Sequence, residues 1–165
     1  MAIKYTVEEH AVAFVTKMLA STYGKHIYNI ELTADRDNGN VVAKGDFIEL
    51  DLYKDKASTD VTGVILDQAA NGNWYVEVTE PGDGLLVYQV PLNYHESPRD
   101  LVSIKTFYNE KGDVVRGYEM AKGDVIELSA KAFDGTPEKG KTLTVADYKW
   151  KVVTTAAPST PGGNG

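Results

Sequence analysis

One octapeptide is written into this chain twice. Ala43-Lys-Gly-Asp-Phe-Ile-Glu-Leu50 returns as Ala121-Lys-Gly-Asp-Val-Ile-Glu-Leu128, identical at seven of eight positions. Such a segment answers a local need. Glycine supplies a backbone conformation open to few other residues, aspartate stabilises a tight turn through its carboxylate, and the alternate Ile and Leu pack inward. The likeness extends upstream, where residues 27–32 and 35–40 resemble residues 101–107 and 109–113. Each copy reads strand, Gly-containing turn, strand, Gly-Asp kink, strand. The expectation is a structural duplication, as paired halves of one barrel or as two small β lobes. The plainer alternative is a common way of entering a strand after a turn.

The rest of the chain is punctuated in the same manner. From Lys25 onward the apolar period is two, as in Tyr28, Ile30 and Leu32, which is strand spacing. Asn38-Gly39 and Asn71-Gly72 are hairpin signals, because a type I′ turn needs positive φ at both central residues. Strands are expected over 41–42 and 46–53, 61–66, 74–78, 85–90, 101–108, 114–120, 124–133, 142–145 and 148–153, with a polar connection over 91–100. This spacing predicts a mainly β fold, an antiparallel barrel or sandwich. Residues 1–24 form a short N-terminal helix or arm. Thr6 with Glu9 has the form of a capping box, Val7, Ala11, Phe14, Val15, Met18 and Leu19 fall at helical spacing, and Gly24 is placed to end the helix. The competing reading is an extended arm, with a strand over Val12 to Val15. Residues 25–155 are the β-rich domain, with the repeat over 27–53 and 101–133. Residues 156–165 are Pro, Gly and small polar residues and read as a flexible tail.

Composition excludes more than it selects. The chain of 165 residues has no cysteine, so disulfides, thiolate metal sites and Cys nucleophiles are ruled out. Its net charge is −7 and no basic run exceeds two residues, which argues against a nucleic-acid partner. No stretch approaches 18 apolar residues, so no membrane span is expected. The start, Met1-Ala2-Ile3-Lys4-Tyr5, has no charged region followed by an apolar one, and synthesis in a cytoplasm is expected.

Each candidate chemical constellation has a plainer structural reading. His10, His26 and His95 show no metal-ligand spacing. Asp35-x-Asp37-x-Gly39, with Asp46 twelfth, brushes a calcium loop. Its sixth position is Asn40 and strands flank it, so a hairpin turn is the expected reading. No nucleophile elbow or phosphate loop is present, and nothing selects a carboxylate pair from 24 acids. No catalytic, cofactor-binding or metal residue is assigned. Trp74, Tyr75, Tyr88, Tyr94, Tyr108, Tyr118, Tyr148 and Trp150 could make a sugar-stacking face, though aromatics in a small β domain more often fill the core. The apolar residues Phe14, Val15, Met18 and Leu19 are the interaction candidates. They face either a partner or the open end of the chain's own barrel.

Two runs carry a resemblance. Ile30-Glu-Leu-Thr-Ala-Asp-Arg-Asp-Asn-Gly39-Asn-Val-Val-Ala-Lys-Gly45-Asp is similar to the opening segment of small head-decoration and auxiliary capsid proteins of tailed bacteriophages. Gly123-Asp-Val-Ile-Glu-Leu, with Phe133-Asp-Gly-Thr-Pro-Glu-Lys-Gly140-Lys-Thr-Leu-Thr-Val145, resembles their closing β segment. These are turn-and-strand patterns, not chemical motifs. The resemblance implies a β module on the outer surface of the virion capsid that stabilises contacts between major capsid subunits. The major capsid protein is the implied partner, with homo-oligomers left open, and no enzyme activity or cofactor is implied. The alternative is a carbohydrate- or cell-surface-binding β module of a phage fibre or adhesin.

Overall fold

The structure, a computed structural model, describes residues 4–6, 8–24, 26–91 and 104–154. Tyr94, His95, most of the 91–100 connection, the start of the 101–108 strand and the C-terminal tail lie outside the described residues. In chain order the strands are β1 (Lys4–Tyr5), β2 (Ala13–Phe14), β3 (Ile27–Glu31), β4 (Val41–Glu49), β5 (Leu52–Lys56), β6 (Thr62–Gln68), β7 (Trp74–Glu80), β8 (Leu85–Tyr88), β9 (Phe107–Tyr108), β10 (Val114–Glu119), β11 (Val125–Leu128), β12 (Phe133–Asp134), β13 (Thr142–Ala146) and β14 (Lys149–Val152). The one α-helix among the described residues is α1 (Leu19–Tyr23).

The fold is mainly β, as expected. Five strands close a barrel in the order β10-β3-β5-β4-β8, and seven form a second sheet in the order β12-β14-β13-β6-β7-β11-β2. The pairing is not wholly antiparallel, because β3 runs parallel to β5 and β12 parallel to β14. Strand alternation divides the apolar residues between two cores. Ile30, Leu32, Val42, Leu85, Val87 and Val115 fill the barrel. Val41, Leu86 and Tyr118 point the other way and join Ile65, Val76, Ile126, Leu128 and Trp150 between barrel and sheet. β8 is therefore buried on both faces, which explains its unbroken Leu85-Leu86-Val87 run. The barrel is narrow at Gly117, where a Cβ would lie 3.0 Å from Ile30 and 3.1 Å from Leu85 and those side chains would have to give way.

Asn71-Gly72 turns the β6–β7 hairpin as expected. Asn38-Gly39 does not turn a hairpin, since β3 pairs with β10 and β5 and not with β4. Its turn is buried instead. The Gly39 amide donates to the Val87 carbonyl (2.8 Å) and the Val87 amide donates to that of Asn40 (2.8 Å). A Cβ on Gly39 would meet Leu128 at 2.8 Å.

The octapeptides do not fold alike. The first lies within β4 and runs into a tight turn at Leu50-Asp51 before β5. Two register shifts bend β4 against β5 here, and Gly45 lies so close that a Cβ would sit 2.7 Å from the Lys54 carbonyl oxygen. In the second copy Gly123 occupies a turn with φ +88° and open space around it, and the strand β11 begins only afterwards. One glycine serves close approach and the other positive φ. The first copy belongs to the barrel and the second to the open sheet, so the octapeptides are not paired halves of one barrel.

The helix expected within residues 1–24 shrinks to α1. Tertiary bonds claim the backbone before it: Ala11 N–H goes to Asp37 (3.0 Å), Val12 N–H to Ser129 Oγ (2.9 Å), and Ala13–Phe14 pair with Leu128 and Glu127. Thr6 and Glu9 form no capping box; Thr6 Oγ1 accepts from the Glu8 amide at 3.0 Å. The arm reading describes this segment, with α1 at its end.

Candidate functional site

The four apolar N-terminal candidates separate. Val15 and Met18 are buried in the shared core, Phe14 is half-buried on β2, and Leu19 is 51% exposed. The second octapeptide holds Leu19 in place. Asp124, itself buried, accepts from the Leu19 amide (3.1 Å) and the Ala121 amide (2.8 Å). It thereby supplies one of the partners that the first turn of a helix lacks. α1 then runs to Gly24, whose φ of +62° ends it.

Between α1 and the end of β10 lies a cleft of about 420 Å³. Leu19, Ala20 and Met120 give it an apolar lining, to which Tyr23, His26 and Glu119 add polar groups. Glu119 connects this cleft to an aromatic ridge. It lies 3.4 Å from His26 Nδ1 and accepts from the Tyr28 hydroxyl at 3.3 Å. Tyr28 meets Tyr53 edge-on at 6.1 Å between centroids, and Tyr53 meets Phe47 edge-on at 5.8 Å. Lys44 Nζ lies 4.0 Å from the Tyr28 ring centroid, within cation–π range.

The ridge ends at the β4–β5 hairpin tip. There Phe47, Ile48 and Leu50 are 64%, 39% and 84% exposed. Their counterparts in the second octapeptide include Ile126 and Leu128, both fully buried. Exposed apolar residues thus stand at two places, Leu19 and Tyr23 beside the cleft and Phe47, Ile48 and Leu50 at the tip, joined by the contacts of His26, Glu119, Tyr28 and Tyr53. Large apolar side chains clustered in solvent, as at the tip, mark an interaction site.

The sequence pointed to Leu19 and missed the tip. Its turn, Leu50-Asp51, contains no Gly, Pro or Asn; Asp51 takes φ +59° itself. The available signal was Asp, which tolerates the left-handed region better than most residues.

Other constellations have structural employment. Asp37 accepts from Ala11 N–H and lies 2.6 Å from His10 Nδ1, and His10 Nε2 lies 3.2 Å from Thr6 Oγ1. Carboxylate, imidazole and hydroxyl stand in the order of a nucleophilic triad. The Thr6 oxygen, however, is engaged in a turn with both the amide and the carbonyl of Glu8, and the imidazole stacks on Tyr108. This group fastens the N-terminal arm to the loop before β4. The calcium-like carboxylates part company: Asp35 accepts from Lys111 N–H, Asp37 serves the arm, and Asp46 is exposed on β4. Among the described residues no three His, Cys, Asp or Glu side chains are grouped to hold a metal. No described helix is long and apolar enough to cross a membrane.

The aromatics considered as a sugar platform are dispersed. Trp150 and Tyr118 are buried, Trp74 and Tyr88 pack against the shared core, Lys17 covers Tyr75, and Arg36 covers Tyr148 at 3.5 Å. No protein-family model, curated protein or solved structure matches the chain.

Proposed function

We propose that this chain is a capsid-decoration protein of a tailed bacteriophage. It binds the outer surface of the assembled head and stabilises contacts between major capsid subunits. The observation that carries the reading is the exposure of Leu19, Tyr23, Phe47, Ile48 and Leu50: large apolar side chains held in solvent by a barrel and sheet that share one core. A rigid platform lets such residues bind with little loss of conformational freedom. The likeness of residues 30–46, 123–128 and 133–145 to decoration-protein segments supplies the kind of partner.

The action is thermodynamic. A ligand of the assembled shell stabilises it by mass action, and many copies bridging neighbouring subunits add their contributions. In a co-sedimentation assay the purified protein is expected to pellet with expanded heads and to leave isolated capsid subunits unbound. Equal binding to unassembled subunits contradicts lattice-specific decoration. Binding to glycans, with none to heads, supports the fibre or adhesin alternative instead.

A further inference from the structure

We infer that the β4–β5 tip is a docking knob whose partner is an apolar pocket with a basic rim on the capsid shell; this rests on the decoration reading above. Three observations meet at the tip.

The first is the apolar content. Phe47, Ile48 and Leu50 project from a hairpin whose base is fixed by the Phe47–Tyr53 and Tyr28–Tyr53 contacts. The same sequence pattern at Ile126 and Leu128 is buried, so solvent exposure here follows from the β4 bulges and the Leu50-Asp51 turn, not from a lack of apolar character.

The second is charge. Asp46, Glu49 and Asp51 are exposed between the apolar residues, and their carboxylates form no ion pair or hydrogen bond among the described residues. The run Asp46 to Tyr53 has three acids and no base. A surface of this sign is complemented by lysine and arginine around the receiving pocket, which also steers encounter.

The third concerns which occupants the tip rejects. Among the described residues β8 pairs with β4 only at Val41 and Val42, so from Lys44 onward β4 has one edge with no described strand beside it. Two register shifts and the charges of Asp46 and Glu49 interrupt that edge, the devices by which edge strands avoid pairing with another strand. Two copies meeting tip to tip would bring six unpaired carboxylates together. The occupant is therefore a pocket receiving side chains, and not an added strand or a second tip.

The test uses the full-length protein and expanded heads from its source. Phe47→Ser/Leu50→Ser and Glu49→Lys/Asp51→Lys are compared with wild type by co-sedimentation at low and high salt, with melting temperatures confirming that each variant folds. Each variant is expected to bind at least about tenfold more weakly, and wild-type binding is expected to weaken with salt. Wild-type binding with undiminished binding by Phe47→Ser/Leu50→Ser overturns the knob and leaves the decoration reading intact. Charge reversal that strengthens binding, or leaves it unchanged, overturns the basic rim. Failure of the wild type to bind heads overturns both proposals. Self-association lost in the tip variants while head binding persists assigns the tip to a second copy and overturns the inference.

Discussion

Leu50 and Leu128 end the two copies of one octapeptide, yet Leu50 is 84% exposed at a hairpin tip and Leu128 is completely buried between barrel and sheet. The same residues are sorted by backbone path alone. In the first copy a bulged strand carries the chain out of the barrel. In the second, a glycine turn delivers it straight into the core.

This contrast predicts opposite tolerance. Leu128→Ala is expected to lower stability by about 2–5 kcal/mol, the range for a large-to-small core change. Leu50→Ala is expected to stay within about 0.5 kcal/mol. Urea denaturation of both variants checks this, and comparable losses contradict the assignment of the two copies.

The paired glycines predict different rescue. Gly123→Ala strains a positive φ in open space, and Asn, which visits that region more readily, is expected to recover part of the loss. Gly45 faces the Lys54 carbonyl oxygen at 2.7 Å, so Asn is expected to be no better than Ala there. Thermal unfolding of the four variants separates the mechanisms; rescue at both sites argues against the close approach at Gly45.

A third prediction concerns the buried ion pair. Asp55, whose side chain is wholly buried, accepts from Thr33 N–H (3.0 Å), Thr33 Oγ1–H (2.6 Å) and Arg36 Nε–H (3.1 Å). Arg36 in turn covers Tyr148. Asp55→Ala strands a largely buried cation and is expected to cost about 3–5 kcal/mol. A loss below about 1 kcal/mol in denaturant unfolding contradicts this account of the loop before β4.

Burial raises the Tyr88 pKa above its ordinary value, and the neighbouring Tyr118 adds to the shift. The folded state therefore holds this proton more tightly than the unfolded one. The associated stability is present below about pH 10, the ordinary tyrosine value, and is lost as pH rises through the folded pKa. Tyr88→Phe is expected to flatten the decline of the urea midpoint above that pH. An unchanged slope contradicts the shift.

Much of the architecture was legible because strand alternation and glycine turns are local. The barrel strands around Ile30, Val42, Leu86 and Val115 and the Asn71-Gly72 hairpin follow from spacing alone. The fate of residues 6–18 was not legible. Its helical spacing lost to backbone bonds from Asp37 and Ser129, which are distant in sequence. Of the exposed apolar residues, Leu19 could be found as an apolar residue on the arm. Phe47, Ile48 and Leu50 could not, because their pattern is that of a buried strand and only the fold sets them in solvent.

The most direct measurement is cryo-electron microscopy of virions from the source. Density for this barrel and sheet is expected at regular positions between capsid subunits, with the β4–β5 tip inserted into the shell. A shell without this density, or a bound protein whose tip points to solvent, contradicts that placement.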